Sequence, residues 1–392
     1  VASKTFEALV TNYRLEFYPL PGDISAIAKD PKLRGAMEAD NPLKVVFNFM
    51  KMKNYARSLQ QEFQQEYYAA CKDSEAIIYH PGAAIGYFIA QAMNIPGILA
   101  TPFPMTPTKE YPSLIFYNSF NSSKTLNLLT HKLFEQILWQ MSKSAIEQFW
   151  SKKFGSLPPH FSNPFSQQQK IVLTLVACSN YVFPQPYDWA ETVHNTGYWF
   201  LDEGNDWSPS NELQQFLQAG KPPIYVGFGS LGNPSKTIET TELVINAISR
   251  SGQRGILATG WSGMKKLDKI SQNILIIESI PHAWLFPKMS VVVHHGGAGT
   301  TAAGLRAGVP SVIIPHSNDQ FAWGKRVYEL GVGAKPVPRK QLTAEKLSTS
   351  ISFALKEDVK ARAKALGAKI QQERGVEVAA KLIANRLIQP DL

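Results

Sequence analysis

Val291-Val292-Val293-His294-His295-Gly296-Gly297-Ala298-Gly299-Thr300-Thr301 is the stretch whose reading decides the fold. The valine run has the composition of a buried strand, and the glycines at 296, 297 and 299 form a turn. Ala302-Ala303-Gly304-Leu305-Arg306-Ala307-Gly308 then continues as a helix. A strand, a glycine-lined turn and a helix N-terminus bring unpaired backbone N–H groups and the positive end of the helix dipole to one point, with no Cβ in the way. Such a point suits a phosphate or pyrophosphate. Val309 to Pro315 reads as the next buried strand, and Asn318-Asp319-Gln320 follow it. A carboxylate and an amide therefore stand beside the phosphate turn, at the strand ends where open α/β sheets bind ligands. The spacing is neither G-x-G-x-x-G nor a Walker P-loop.

Outward from this stretch the chain alternates strands and helices. Leu15 to Leu20 reads as a strand stopped at Pro21-Gly22-Asp23, and Leu43 to Tyr68 carries a helical stripe through Met52, Tyr55, Leu59, Phe63 and Tyr67. Ala76–Tyr79 and Gly97–Ala100 flank a helix from Ile85 to Met93, a βαβ unit that implies parallel pairing. A long helix from Leu126 to Trp150 carries Leu129, Leu133, Ile137 and Met141. Strands are expected at Ile171–Ala177 and Asn180–Phe183. The polar segment 201–221 is the clearest boundary, after which the pattern restarts. Strands are expected near Ile224–Phe228, Gly255–Ala258, Ile274–Glu278, Val291–Val293 and Val312–Pro315.

Four short matches stand in order: Pro281-His282, His295 to Thr300, Gly308-Val309-Pro310 and Asp319-Gln320. Together they resemble the donor-binding box of GT-B-fold nucleotide-sugar glycosyltransferases, and among these the UDP-glucose sterol glucosyltransferases with related macrolide and lipid enzymes. Thr196–Phe200, Trp207-Ser208-Pro209, Phe216-Leu217, Lys221 to Ser230 and Pro104 to Pro112 extend the resemblance over most of the chain. It implies an α/β protein of two Rossmann-like doubly wound lobes facing a cleft, the first lobe lacking its opening strand. Residues 1–200 would bind the acceptor, 201–221 would link the lobes and 222–392 would bind the nucleotide sugar, with terminal helices packing back on the first lobe. The implied activity is inverting transfer of a hexose, with glucose expected, from a UDP-sugar to a hydroxyl of a sterol-like or other lipophilic acceptor. A catalytically incomplete nucleotide-sugar-binding protein and a transferase for a polyketide or macrolide-like aglycone are the alternatives. Pro104 to Pro112 argues against a third reading, a nucleotide-sugar epimerase.

In the donor box, His295 can donate a ring N–H to a phosphate oxygen, and the amides of Gly297, Ala298, Gly299 and Thr300 can complete the cradle. His294 points the other way and reads as structural. By resemblance Asp319 and Gln320 hold the hexose, Ser230 lies near the phosphates, and Ile280 and His282 border the base through the backbone. Ser279 and Ala303 stand where the plant-type box has Trp and Glu, which leaves the nucleotide open; Trp261 is a candidate near the base. Phe103–Tyr117 and the long helix could wall an apolar acceptor pocket, with His80, Met105 and Tyr111 as its contacts.

The chain has 392 residues, 44% of them hydrophobic, enough for two or three domains. The formal charge is +9, but no basic cluster carries interleaved aromatics, so nucleic acid is disfavoured. No run of apolar residues is long enough to span a bilayer. Cys71 and Cys178 have no metal-ligand spacing and form no disulfide framework, which suits the cytoplasm. The basic face of Leu342 to Ile388 is expected to be solvated, with peripheral contact to an anionic membrane as its alternative. No Asp-x-Asp pattern calls for a metal, and no cofactor is expected beyond the UDP-sugar. The family's catalytic base lies in a loop after its first strand, upstream of Val1, so none is assigned here and the fragment alone is expected to be impaired in catalysis.

Overall fold

Parallel strands need long crossovers, and helices in those crossovers cover both sheet faces. The computed structural model shows two such sheets; it describes residues 1–21, 57–118, 123–166, 172–201, 207–228, 237–259, 271–316 and 319–388. The chain forms two units, Val1–Gly197 with Arg374–Leu392, and Tyr198–Glu373.

The first unit contains β1 (Ala2–Ser3), α1 (Glu7–Asn12), β2 (Pro19–Leu20), α2 (Arg57–Cys71), β3 (Ile77–Tyr79), α3 (Ile85–Met93), β4 (Gly97–Thr101), α4 (Lys124–Phe154), β5 (Leu173–Val176) and β6 (Val193–Asn195). β1 and β2 pair with each other, while β3-β4-β5-β6 form a parallel sheet. Ile77, Tyr79 and Leu99 face the buried sides of α3 and α4, including Phe88, Ile89, Trp139 and Ile146.

Four expectations change here. The strand expected from Leu15 shrinks to Pro19–Leu20, because its one partner is the two-residue β1, and Leu15 is 62% exposed. Asn180–Phe183 is a turn rather than a strand. The Ser179 carbonyl accepts from the amides of Val182 and Phe183, and the Asn180 side chain bonds Gln185 and Asn195, so local side-chain bonds compete with strand pairing. The fourth strand is β6, whose Val-His-Asn sequence carries one apolar residue and no periodicity. On α4, Leu129 and Leu133 are 61% and 42% exposed, whereas Asn127, Thr130, His131 and Glu135 are buried. Those polar side chains turn inward because a loop carrying backbone groups lies against them. Met52 and Tyr55 fall outside the described residues.

The second unit contains α5 (Asn211–Gln218), β7 (Ile224–Gly227), α6 (Thr237–Arg250), β8 (Gly255–Ala258), β9 (Ile274–Ile277), α7 (His282–Leu285), β10 (Val291–His294), α8 (Ala298–Ala307), β11 (Ser311–Ile313), α9 (Gln320–Glu329), α10 (Ala344–Ala354) and α11 (Glu357–Gln371). The helix α5 lies inside the polar boundary segment: Ser210 caps it by accepting from the Leu213 amide, and Leu213 is buried. The last helix, α12 (Gly375–Ile388), belongs to the first unit, where Ala379, Leu382 and Ile383 cover Ile98, Leu173 and Leu175.

The second sheet runs β11-β10-β7-β8-β9, all parallel. Ile224, Val226, Val291 and Val293 face α6 and α10, while Tyr225 and Val292 face Leu213, Leu285 and Phe286 on the other side. The chain builds outward from β7 through β8 to β9, then returns to add β10 and β11 on the opposite side. Strand order therefore reverses between β7 and β10, where a crevice opens at the carboxyl ends. The glycine turn follows β10 at that point.

Helix α8 is braced from behind by α11. A Cβ on Gly367 would lie 2.5 Å from the Gly308 α-carbon and 2.9 Å from the Leu305 carbonyl oxygen. Helix propensity alone says that alanine at position 367 stabilises by up to about 1 kcal/mol. The close backbone approach reverses the sign: Gly367→Ala is expected to lower stability by about 1–3 kcal/mol, read from the denaturation midpoint.

Candidate functional site

Each glycine of the turn after β10 answers a different constraint. Gly296 has φ +91°, and a Cβ there would lie 2.7 Å from Ile313 Cγ2 and 3.1 Å from the Gln320 carbonyl oxygen. Gly297 caps α8 in extended geometry, and its Cβ would strike His295 Nε2 at 2.6 Å. Gly299 is exposed, and a Cβ there would meet nothing within 4 Å. The first two are dictated by packing; the third faces open space. No side chain caps α8, its first turn holds no acid, and its first intrahelical bond runs from the Thr301 amide to the Gly297 carbonyl at 2.9 Å. The amides of Ala298, Gly299 and Thr300 thus have no intrahelical acceptor.

Imidazoles surround this helix end. The His295 ring lies against Gly297, its Nδ1 buried and without a partner among the described residues, and burial lowers its pKa so that the ring is neutral at pH 7. His316, at the end of β11, sets its ring 6.3 Å from that of His295 and 5.7 Å from Phe228. The His282 ring is turned inward. It stacks on Phe286 at 4.3 Å, and its Nε2 is 3.4 Å from the Tyr225 hydroxyl. Burial, with a smaller contribution from His295, pulls His282 down to about 4, and burial lifts Tyr225 to about 12. The His282 ring is therefore engaged with the core. Ile280 packs partly buried beside it.

Asp319 and Gln320 open α9 next to the glycine turn. The Asp319 side chain does not cap the helix; its Oδ2 accepts from Trp323 Nε1 at 3.1 Å, and burial raises its pKa while the indole bond opposes the rise. Gln320 is buried, and its Oε1 accepts from the His316 amide at 2.8 Å. Asp319, Gln320, His295 and the amides at 298–300 are thereby gathered at the carboxyl ends of β10 and β11. Ser230, Trp261 and Asn318 lie outside the described residues. Sequence reasoning missed His316, Phe228 and Trp323; the position of His316 directly after a strand was the available signal.

In the first unit, the segment around Met105 and Tyr111 is tied down by polar side chains. Asp188 accepts from the Thr108 hydroxyl at 2.6 Å and the Lys109 amide at 2.8 Å, and Asn127 Nδ2 donates to the Lys109 carbonyl at 2.8 Å. The Ser113 amide donates to Thr130 Oγ1, and His131 Nε2 donates to the Tyr111 carbonyl at 3.0 Å. Met105 lines a cavity of about 30 Å³ with Pro81, Thr106, Phe134 and Glu135. That space is sized for a water. His80 is exposed, and its Nδ1 accepts from the Gly82 amide at 3.0 Å, a capping role. Among the described residues no group of three or more His, Cys, Asp or Glu side chains could hold a metal, and no helix is long and apolar enough to cross a membrane.

Buried neutral imidazoles set a pH response. His131 and His282 drop from 6.5 to about 4 on folding, chiefly through burial. Below 6.5 the unfolded chain takes up protons that the folded chain refuses, so stability falls from there toward pH 4. His131→Gln, which keeps a donor toward Tyr111 but cannot titrate, is expected to flatten part of that loss in denaturation midpoints measured at pH 7.5 and 5.

Residues 243–389 match the sequence model of the erythromycin biosynthesis protein CIII-like C-terminal domain. A sterol 3-beta-glucosyltransferase of Arabidopsis thaliana is 32% identical over 395 residues, 99% of this chain and 63% of the relative. The sterol 3-beta-glucosyltransferase of Saccharomyces cerevisiae is 37% identical over 325 residues, 80% of this chain and 26% of the relative. The chain thus spans less than two thirds of the length of these relatives. Among solved structures, the glycotransferase of kitacinnamycin matches with a TM-score of 0.70 at 18% identity, covering 98% of this chain and 90% of that one. Along nearly its whole length the chain is thus similar in sequence to the sterol 3-beta-glucosyltransferases, and it shares the two-sheet GT-B fold of the solved glycosyltransferase.

Proposed function

We propose that this chain binds a UDP-sugar in its second unit and serves the transfer of the hexose, with glucose as the expected sugar, to a hydroxyl of a sterol-like lipophilic acceptor. The observation that carries the reading is the uncapped N-terminus of α8 at the sheet's point of strand reversal, with His295 on one side and Asp319-Gln320 on the other. Bond breaking at the anomeric carbon leaves negative charge on the departing diphosphate. Fixed amides and an imidazole N–H meet that charge without reorganising, which is the most effective form of electrostatic stabilisation. The neutral state of His295 suits this role, because one ring nitrogen carries a proton to donate.

Asp319 supplies an acceptor for sugar hydroxyls beside that charge. Its Oδ2 is oriented by the Trp323 indole, so the carboxylate is placed before the sugar arrives. Attack by the acceptor hydroxyl from the face opposite the diphosphate inverts the anomeric centre, and its proton passes to a base that we do not assign to any residue of this chain. The sterol-like acceptor rests on the likeness to the sterol 3-beta-glucosyltransferases. The UDP-sugar is the donor co-substrate in this reading.

His295→Ala is expected to weaken UDP binding by roughly 10- to 100-fold, the range for one hydrogen bond to a charged group, with little change in melting temperature. Titration calorimetry with UDP tests it, and unchanged affinity rejects the phosphate role. Asp319→Asn is expected to cut UDP-glucose affinity while leaving UDP affinity nearly intact; equal loss of both places Asp319 away from the sugar.

A further inference from the structure

His294 is a fully buried titratable side chain to which the proposed chemistry gives no task. It ends the run Val291-Val292-Val293, where an apolar residue would complete the strand. Its backbone is fixed in the sheet, since its carbonyl accepts from the Ile314 amide at 2.9 Å. Among the described residues the side chain makes one hydrogen bond: Nδ1 accepts from the Gly296 amide at 3.1 Å. A nitrogen that accepts must carry a lone pair, so the proton sits on Nε2. That Nε2 is buried with no acceptor among the described residues. What the imidazole does supply is a fixed acceptor for the amide of the one residue in the turn with a positive φ.

Gly296 touches both halves of the site. On one side it leads into the Gly297 cap and the amides of α8; on the other it lies against Ile313 and the Gln320 backbone. We propose that His294 is the positioning residue of the donor site: by holding the Gly296 amide it sets the diphosphate cradle and, through the Gly296–Gln320 contact, the sugar-binding end of α9. Burial holds its pKa well below the usual histidine value, so the acceptor is present throughout the neutral range.

The proposal rests on the donor-site reading above and is tested by side chains that differ in reach. Asparagine places an amide oxygen close to the position of Nδ1; glutamine places it one bond further out, and leucine removes it. UDP and UDP-glucose affinities of wild type, His294→Asn, His294→Gln and His294→Leu are measured by calorimetry beside their melting temperatures. His294→Asn is expected to stay within about threefold of wild type, while His294→Gln and His294→Leu lose about tenfold for UDP and more for UDP-glucose. Should the leucine variant fail to fold, the asparagine and glutamine pair still decides. Wild-type affinities in folded His294→Gln or His294→Leu, or equal damage in His294→Asn and His294→Gln, overturn the proposal. A wild-type protein that binds neither ligand instead defeats the donor-site reading itself.

Discussion

The close contact of Gly296 with Ile313 and Gln320 is the constraint on which the second unit's site depends. No other residue type fits there, because both the φ of +91° and the packing exclude a Cβ. Once the turn passes through that gap, α8 must begin at Gly297, its first amides must point out of the sheet, and α9 must begin beside it. The sheet's order gives this geometry its place: between β7 and β10 the crossovers leave in opposite directions, which opens a crevice beside the helix end.

Burial then sorts the histidines by task. His294 and His282 lie on the Val292 face of the sheet, neutral and occupied with the Gly296 amide and with Phe286 and Tyr225. His295 and His316 stand on the crevice side. The consecutive residues His294, which ends β10, and His295 thus serve opposite faces, as extended backbone requires. The first unit uses buried polarity differently. There Asn127, Thr130, His131 and Asp188 hold the backbone of a loop, and the hydrogen bonds themselves justify a polar helix face in the interior.

Much of this was legible before any coordinates. The valine run, the glycines and the amphipathic stripes located β10, α8, β8 and α3 closely, because each carries a local pattern that tertiary contacts did not override. What remained hidden depended on partners distant in sequence. Leu129 and Leu133 form an apolar stripe that looks like core, yet the loop at 105–113 presents backbone groups to the other side of α4, and the polar side wins the interior. Asn180–Phe183 looks like a strand until Ser179 and Asn180 claim its backbone, and β6 is a strand only because β5 offers it a ladder. The order of strand, glycine turn and helix over 291–308 was readable from the residues themselves. The roles of His316 and Trp323 were not, since both arise from contacts across β11 and α9.

The central claim is that a nucleotide sugar sits on the free amides of α8 and against α9. Amide hydrogen exchange, followed by mass spectrometry on the full chain with and without UDP-glucose, addresses it directly. The account predicts slower exchange in peptides covering residues 296–301 and 319–323 on addition of the ligand. Unchanged exchange in both segments while UDP-glucose is demonstrably bound contradicts it.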